Sequence, residues 1–173
     1  VHGIFNTRPQ LPAADFAKAP WHQDSQYWSM NYGQKYDDPH KSNVLTFFIP
    51  LQKVGINSGC LSLMSLKDTK NKLFKAVEYD FKNTGYLGLS KSDVQKYKKK
   101  PIPMSVGDIL IFNHLVPHGT NPLKKQHVRW SLDIRYEATH KATGLGKKFG
   151  FVATSEKKHN ITRCSTWINK SLR

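Results

Sequence analysis

The stretch HVRWSLDIRYEAT (residues 127–139) alternates apolar and polar side chains from position 128 to position 137. A period of two places alternate side chains on opposite faces of an extended chain, which indicates a β-strand. The apolar face carries Val128, Trp130, Leu132, Ile134 and Tyr136, and the polar face carries Arg129, Ser131, Asp133 and Arg135. The sequence therefore predicts one long two-faced strand here.

Further short strands are predicted along the chain. NVLTFFIPLQKV (43–54) is β-branched and aromatic, and strands at 60–64 and 109–112 each follow a turn signal. Residues 116–119 are predicted to form another short element. Residues 6–20 hold three prolines and predict a loop, whereas the aromatic-rich WHQDSQYWSMNYG (21–33) predicts extended chain. Short strands joined by turns, without β-α-β alternation, predict an antiparallel sandwich or barrel.

The length of 173 residues predicts a single domain with a real core. Residues 66–103 contain helix-like stretches, the second capped by Ser90 or Ser92, and predict an insertion. Residues 143–173 predict a C-terminal extension that forms a cap or a short helix. Because the first residue is Val1, an N-terminal part is expected to be missing.

The chain is strongly basic, with a formal charge of +15 from 27 Lys and Arg against 12 Asp and Glu. Such a charge attracts polyanions, acidic membranes and phosphorylated or CoA-linked substrates. No nucleic-acid motif accompanies the lysines at 91–100, so nucleic acid is not an expected partner. No apolar run approaches the ~20 residues of a membrane span. Cys60 and Cys164 lack a CxxC spacing and predict reduced thiols and a cytoplasmic location.

The stretch WHQD (21–24) places His22 and Asp24 two residues apart. In a strand both side chains would share one face. A histidine and a carboxylate are two of the three protein ligands of a common Fe(II) site, whose third ligand is a distant histidine. His118, in FNHLVPHGTNPLKKQHVRW (112–130), follows a strand and precedes a loop, as a ligand would. His114, four residues earlier, is the alternative.

Arg129 lies 11 residues after His118, on the polar face of the long strand. Two imidazoles and one carboxylate leave three metal positions open, two for a 2-oxo acid and one for O₂. An arginine fork suits the far carboxylate of that acid, because it donates paired charge-assisted hydrogen bonds. Arg135 is the competing arginine. Trp21, Tyr27 and Trp28 are predicted either to line a pocket or to belong to the core.

These motifs together resemble the phytanoyl-CoA dioxygenase family of Fe(II)/2-oxoglutarate oxygenases. The resemblance includes WHQD, FFIPLQKVGINSGCLSLM (47–64) and VGDILIFNHLVPHGTNPLKKQHVRW (106–130). It implies an all-β core with a few helices, folded as a double-stranded β-helix (jelly roll). It implies iron ligands His22, Asp24 and His118, a 2-oxoglutarate clamp at Arg129 and further co-substrate contacts at Thr120, Gln23 and Phe48. Phe48 departs from the tryptophan of the enzyme that names the family.

The resemblance further implies an Fe(II)- and 2-oxoglutarate-dependent dioxygenase that uses O₂ and releases succinate and CO₂. Hydroxylation of a small molecule, anionic or CoA-linked, is the expected reaction, with desaturation and ring closure as alternatives. Two other functions stay open at this point. One is a non-catalytic jelly-roll binding protein that retains the metal site, and the other is an oxygenase that acts on nucleic acid.

Overall fold

A computed structural model describes residues 6–12, 19–31, 43–79, 86–124 and 127–138. The strands are β1 Asn6–Gln10, β2 Leu45–Pro50, β3 Leu61–Met64, β4 Val77–Tyr79, β5 Tyr86–Gly88, β6 Lys99–Ile102, β7 Leu110–Asn113, β8 His118–Thr120 and β9 Arg129–Tyr136. The helices are α1 Asp24–Asn31, α2 Leu66–Thr69 and α3 Lys91–Lys96. None of these helices is both long and apolar enough to cross a membrane. The predicted C-terminal cap and Cys164 lie outside the described residues.

The strands form two antiparallel sheets and a small hairpin. The larger sheet has the order β1-β9-β2-β7, the smaller has the order β6-β3-β8, and β4 pairs with β5. Phe48 and Phe112 of the larger sheet pack against Leu61 of the smaller one, in a core that includes Val54 and Met104. The predicted all-β core with a few helices is confirmed, and the described strands do not close into a barrel.

The long alternating strand forms as β9, but its polar face is the buried one. Arg129, Ser131, Asp133 and Arg135 are 0–8% exposed, whereas Trp130 is 43% exposed. Buried polar groups are tolerated when they find hydrogen-bond or charge partners. The polar face of β9 can point between the sheets because its side chains have hydrogen-bond and charge partners there.

The loop predicted for residues 6–20 is wrong at its start, where the chain forms β1. This strand pairs with β9 in a register that runs from Asn6↔Asp133 to Gln10↔Arg129. Pro9 is compatible with a strand because β1 lies at the edge of the sheet, where a missing N–H costs no ladder hydrogen bond. The pairing brings Arg8 and Gln10 to the polar face of β9.

The extended conformation predicted for 21–33 also ends early, because α1 begins at Asp24. The Gln23 N–H donates to Gln26 Oε1 at 3.1 Å, and the Gln26 N–H donates to the Gln23 carbonyl at 3.0 Å. This reciprocal pattern resembles a capping box and fixes the helix start. His22 and Asp24 therefore converge at a turn into a helix, and not along one face of a strand.

The region predicted as an insertion, 66–103, holds the short helices α2 and α3 and the β4/β5 hairpin. Ser90 caps α3, since its hydroxyl accepts from the Asp93 N–H at 3.1 Å. The region ends in β6, which pairs with β3 and belongs to the smaller sheet. Lysines and a proline are suited to such an edge strand, which explains why its sequence did not read as core. The single-domain organisation stays a prediction.

Candidate metal and co-substrate site

The three predicted metal ligands converge beside a cleft lined by residues of both sheets. His22 and His118 pair through their backbones, with N–H to carbonyl distances of 3.0 and 2.9 Å. The Asp24 Oδ1 atom lies 3.9 Å from the Nε2 atom of each histidine. The three ligand atoms lie within 4.8 Å of one another, and His114 is not part of this group.

Backbone carbonyls fix the tautomer of both imidazoles. The His22 Nδ1 atom lies 2.7 Å from the Pro20 carbonyl oxygen, and the His118 Nδ1 atom lies 3.0 Å from that of Val116. Because a carbonyl only accepts, each Nδ1 carries the hydrogen and each Nε2 keeps a lone pair that is available to a metal. Burial, assisted by His118, lowers the pKa of His22 to about 3, and burial also lowers the pKa of His118.

The Asp24 carboxyl is buried but anionic. Burial alone would raise its pKa, but the Arg135 guanidinium leads the opposing interactions and holds the pKa of Asp24 below its ordinary value. Two neutral imidazoles and one carboxylate form the donor set that non-haem Fe(II) takes in a facial triad. The residues present therefore fit that metal.

These shifts predict that the metal-free protein loses stability in acid. The pKa of His22 is about 3 when folded and near 6.5 when unfolded, so the unfolded chain binds more protons between these values. Asp24 acts in the same direction, because its folded pKa lies below its unfolded one. We expect the Tm in chelator to fall as pH drops from about 6.5 towards 3, and to fall less steeply in His22→Gln.

The matched control for this acid titration is His127→Gln, since His127 is only partly buried. Its Tm should follow the wild-type dependence on pH. Equal slopes for His22→Gln and the wild type would contradict the assignment of the buried imidazole as a source of acid lability.

A cleft lies beside the triad. It is lined by Arg8, Ala19, His22, Thr46, Phe48, Leu61, Phe112, His118, Thr120, Arg129, Asp133 and Arg135. Phe48, Thr120 and Arg129 thus line the same cleft as the two histidines, as a shared co-substrate role requires. Their binding roles stay predictions.

The Arg129 guanidinium is held in place by residues of two strands. Its Nε and Nη2 atoms donate to Gln10 Oε1 at 3.3 and 3.1 Å, and Nη1 donates to Ser131 Oγ at 2.5 Å. The guanidinium carbon lies 5.6 Å from the centre of the Phe48 ring. No sequence motif pointed to Gln10, because its place beside Arg129 depends on the β1/β9 register.

Gln23 lies outside the residues that line the cleft. Its Nε2 donates to the carbonyls of Lys72 at 2.8 Å and Leu115 at 2.6 Å, and its Oε1 accepts from the Phe74 N–H at 2.8 Å. The side chain is 0% exposed. Its predicted co-substrate contact is not favoured by this position, which instead ties the metal motif to two neighbouring loops.

The aromatic residues next to the metal motif pack outside the cleft. The Tyr27 ring meets His22 edge-on at 5.3 Å, and its hydroxyl donates to the Leu87 carbonyl at 2.8 Å. Trp21 packs against the core cluster that includes Phe74. Trp21 and Tyr27 are not among the cleft-lining residues, and the side chain of Trp28 lies outside the described residues.

Gly59 is placed where a side chain would disturb the clamp arginine. Its φ is +77°, and an added Cβ would collide with the Gln10 amide and lie 3.4 Å from Arg129 Nε. We expect Gly59→Ala to lower the free energy of unfolding by about 1–3 kcal/mol and to weaken 2-oxoglutarate binding, measured by denaturant melts and titration.

Gly107→Ala is the matched control for Gly59→Ala. Gly107 has a φ of +97°, but an added Cβ there meets nothing within 4 Å. Both variants carry backbone strain, and only Gly59→Ala presses on Gln10. If both variants bind 2-oxoglutarate as the wild type does, Gly59 has no part in positioning Arg129.

The fold and the site together define a class of protein, the double-stranded β-helix proteins in which two histidines and an aspartate converge as a candidate metal site. Residues 5–130 match the family model described as "Phytanoyl-CoA dioxygenase (PhyH)". The chain therefore belongs to the phytanoyl-CoA dioxygenase family, as its motifs predicted. A search of curated proteins finds no significant match.

Solved structures share this fold at low sequence identity. AviO1 from Streptomyces viridochromogenes Tue57 is 20% identical with a TM-score of 0.54, over 82% of this chain and 52% of AviO1. EvdO2 from Micromonospora carbonacea var. aurantiaca, also solved with 2-oxoglutarate, is 18% identical with a TM-score of 0.56, over 82% of this chain and 56% of EvdO2.

SnoK, a non-heme alpha-ketoglutarate-dependent carbocyclase from nogalamycin biosynthesis, is 16% identical with a TM-score of 0.54. The alignment covers 84% of this chain and 53% of SnoK. The chain thus spans about half the length of AviO1, EvdO2 and SnoK.

Proposed function

We propose that this chain forms the catalytic core of an Fe(II)- and 2-oxoglutarate-dependent dioxygenase. The proposed reaction is hydroxylation of a small molecule with release of succinate and CO₂. The observation that carries the proposal is the convergence of His22, Asp24 and His118 within 4.8 Å, beside a cleft that also contains Arg129. Family membership and the 2-oxoglutarate complex of EvdO2 support the same chemistry.

The triad would hold Fe(II) through two Nε2 atoms and a carboxylate oxygen. When bound there, Fe(II) with 2-oxoglutarate and O₂ would supply the oxidation that converts a C–H bond to an alcohol. The preset tautomers of His22 and His118 present both lone pairs without rearrangement. This preorganisation lowers the cost of forming the site.

Arg129 would bind the far carboxylate of 2-oxoglutarate. Its guanidinium is 3% exposed and is oriented by Gln10 and Ser131, so the positive charge is fixed before the ligand arrives. A bidentate arginine–carboxylate pair in such a site is strong and directional. The Thr120 hydroxyl and the Phe48 ring, which line the same cleft, would complete this pocket.

The charges of the cleft favour an anionic substrate. Arg8, Arg129 and Arg135 line it together with Asp133, and Asp24 adds a second negative charge, which leaves one positive charge in excess. Doubly charged Fe(II) and doubly charged 2-oxoglutarate cancel each other and leave this excess in place. Arg8, paired with Asp133 at 2.5 Å and 37% exposed, is the cation that a substrate would reach.

The test of the chemistry is an anaerobic titration with Fe(II) and 2-oxoglutarate, followed by the visible charge-transfer band of the chelate. A saturable band that requires both components would support the proposed function. A folded protein that gives no band would overturn it and favour a non-catalytic binding protein.

The test of the substrate class uses two probes of similar size and shape, the anion hexanoate and the neutral hexanamide. Hexanoate should perturb the band and hexanamide should not, and Arg8→Gln should abolish the difference. Lys124→Gln, which changes an exposed lysine outside the cleft lining, is the matched control. Equal effects of the two probes on the wild type would contradict an anionic substrate.

A further inference from the structure

Two side chains outside the metal motif hold the Asp24 carboxylate. Arg135 Nη2 donates to Oδ1 at 3.2 Å and Arg135 Nε lies 3.4 Å from Oδ2. The Thr46 hydroxyl donates to Oδ2 as well. All three residues are buried, with 2% exposure at Asp24 and Thr46 and 8% at Arg135.

The larger sheet places these two donors side by side. Thr46 of β2 and Arg135 of β9 are directly opposite in the antiparallel register, and both face the space between the sheets. Asp24 comes from the start of α1 and reaches this cross-strand pair from outside the sheet. The orientation of the carboxylate is therefore set by the sheet, in addition to the loop that carries His22.

The two oxygens of Asp24 have different surroundings. Oδ1 accepts a hydrogen bond from Arg135 Nη2 at 3.2 Å and lies 3.9 Å from both Nε2 atoms, where a shared metal would be bound. Oδ2 is engaged by the Thr46 hydroxyl and by the Nε atom of Arg135. Rotation of the carboxylate to offer both oxygens to a metal would break these hydrogen bonds inside a buried site, which is costly.

We propose that Arg135 and Thr46 are positioning residues that restrict Asp24 to metal binding through Oδ1 alone. This inference rests on the metal site proposed above and extends it to two residues. One-oxygen binding keeps the metal position that a second carboxylate oxygen would occupy free for exogenous ligands. The two arginines of β9, which line the same cleft, then have different roles: Arg129 would bind the co-substrate, and Arg135 holds the ligand carboxylate.

The spacing of the two arginines supports this difference in role. They are six residues apart on one strand, so their backbones are about 20 Å apart at the usual rise per residue. Arg129 is fixed by Gln10 and Ser131, whereas Arg135 is fixed by Asp24. Each guanidinium therefore has its own set of partners.

The test is a Co(II) titration of purified protein, read by visible absorption, with no turnover involved. Residues that orient a metal ligand usually change metal affinity by 10–100-fold when replaced. We expect Arg135→Met and Thr46→Val each to weaken Co(II) binding by about 10–100-fold. Thr46→Ser, which keeps the hydroxyl, should stay near wild type, and Arg135→Lys, which keeps the charge without the fork, should be intermediate.

Infrared spectra of protein with ¹³C-labelled aspartate provide the second readout. The separation between the two carboxylate stretching bands reports whether one or both oxygens bind the metal. The Co(II) complex of the wild type should show one-oxygen binding, and Arg135→Met should shift towards two-oxygen binding. A solely structural role would lower the Tm of these variants but leave Co(II) affinity and the band separation unchanged.

The outcomes separate this inference from the proposed function. If folded Arg135→Met and Thr46→Val bind Co(II) as tightly as the wild type, or more tightly, the positioning role is overturned and the metal site stands. Two-oxygen binding in the wild type would do the same. Absence of Co(II) binding by the wild type would overturn both proposals. Because the two variants alter different strands, failure of one to fold leaves the other as the test.

Discussion

Replacement of His118 by alanine is expected to abolish both turnover and the Fe(II)–2-oxoglutarate band. His118 is one of only two imidazoles in the triad, and its loss leaves a single imidazole and a carboxylate. Since replacement of residues that merely orient a ligand costs up to about 100-fold in metal affinity, loss of a ligand should cost at least as much. Anaerobic titration of folded His118→Ala with Fe(II), with and without 2-oxoglutarate, measures the effect.

His114→Gln is the matched control for His118→Ala. His114 is also buried, at 4% exposure, and lies four residues earlier in the same segment, but it is not part of the converging group. This variant should keep the band and the metal affinity within a few-fold of wild type. The reverse pattern, with the band lost in His114→Gln and kept in His118→Ala, would exchange the two assignments.

Replacement of Arg129 by alanine is expected to raise the 2-oxoglutarate requirement by about 30-fold or more. Truncation of one member of a buried, hydrogen-bonded charge pair costs about 2–5 kcal/mol, and each 1.4 kcal/mol is a factor of about ten in affinity. Co(II) affinity measured without 2-oxoglutarate should change little, because the hydrogen bonds that hold Arg129 go to Gln10 and Ser131 and not to the triad. Titrations with each component separate the two effects.

Gln10→Met provides a graded companion to Arg129→Ala. It removes the acceptor of the Arg129 Nε and Nη2 atoms and leaves the charge, so a smaller rise in the 2-oxoglutarate requirement is expected. An unchanged requirement in Arg129→Ala would show that another residue binds the far carboxylate. A fall in metal affinity equal to the fall in 2-oxoglutarate affinity would show a general disturbance of the site.

Much of the site was predictable because its residues have distinctive chemistry at fixed separations. His22, Asp24, His118 and Arg129 could be found by residue type, order and spacing, and the structure brings the three ligands together and places Arg129 in the adjacent cleft. The residues that hold them could not be found in this way. Gln10 lies in a stretch whose prolines predicted a loop, and Thr46 lies in an ordinary apolar strand.

Arg135 illustrates the limit of the spacing argument. By sequence it was a second arginine on the same face of the same strand, and so a competitor for the co-substrate. The cross-strand register places it opposite Thr46, and its guanidinium donates to Asp24 at the start of α1, which is a different partner. Residue type thus indicated its chemistry, but its partner lies at the start of a helix 111 residues away in sequence.

The sequence by itself determined the strand character of β9 and the identity of the converging ligands, because period and spacing are local properties of the chain. Which face of β9 is buried was decided by tertiary structure. The apolar face would ordinarily turn inward, yet Arg129 and Arg135 are buried and Trp130 is half-exposed. Burial of a charge is favourable only when partners meet it, and those partners, Gln10 on β1 and Asp24 on α1, are assembled by strand pairing and by the turn into the helix.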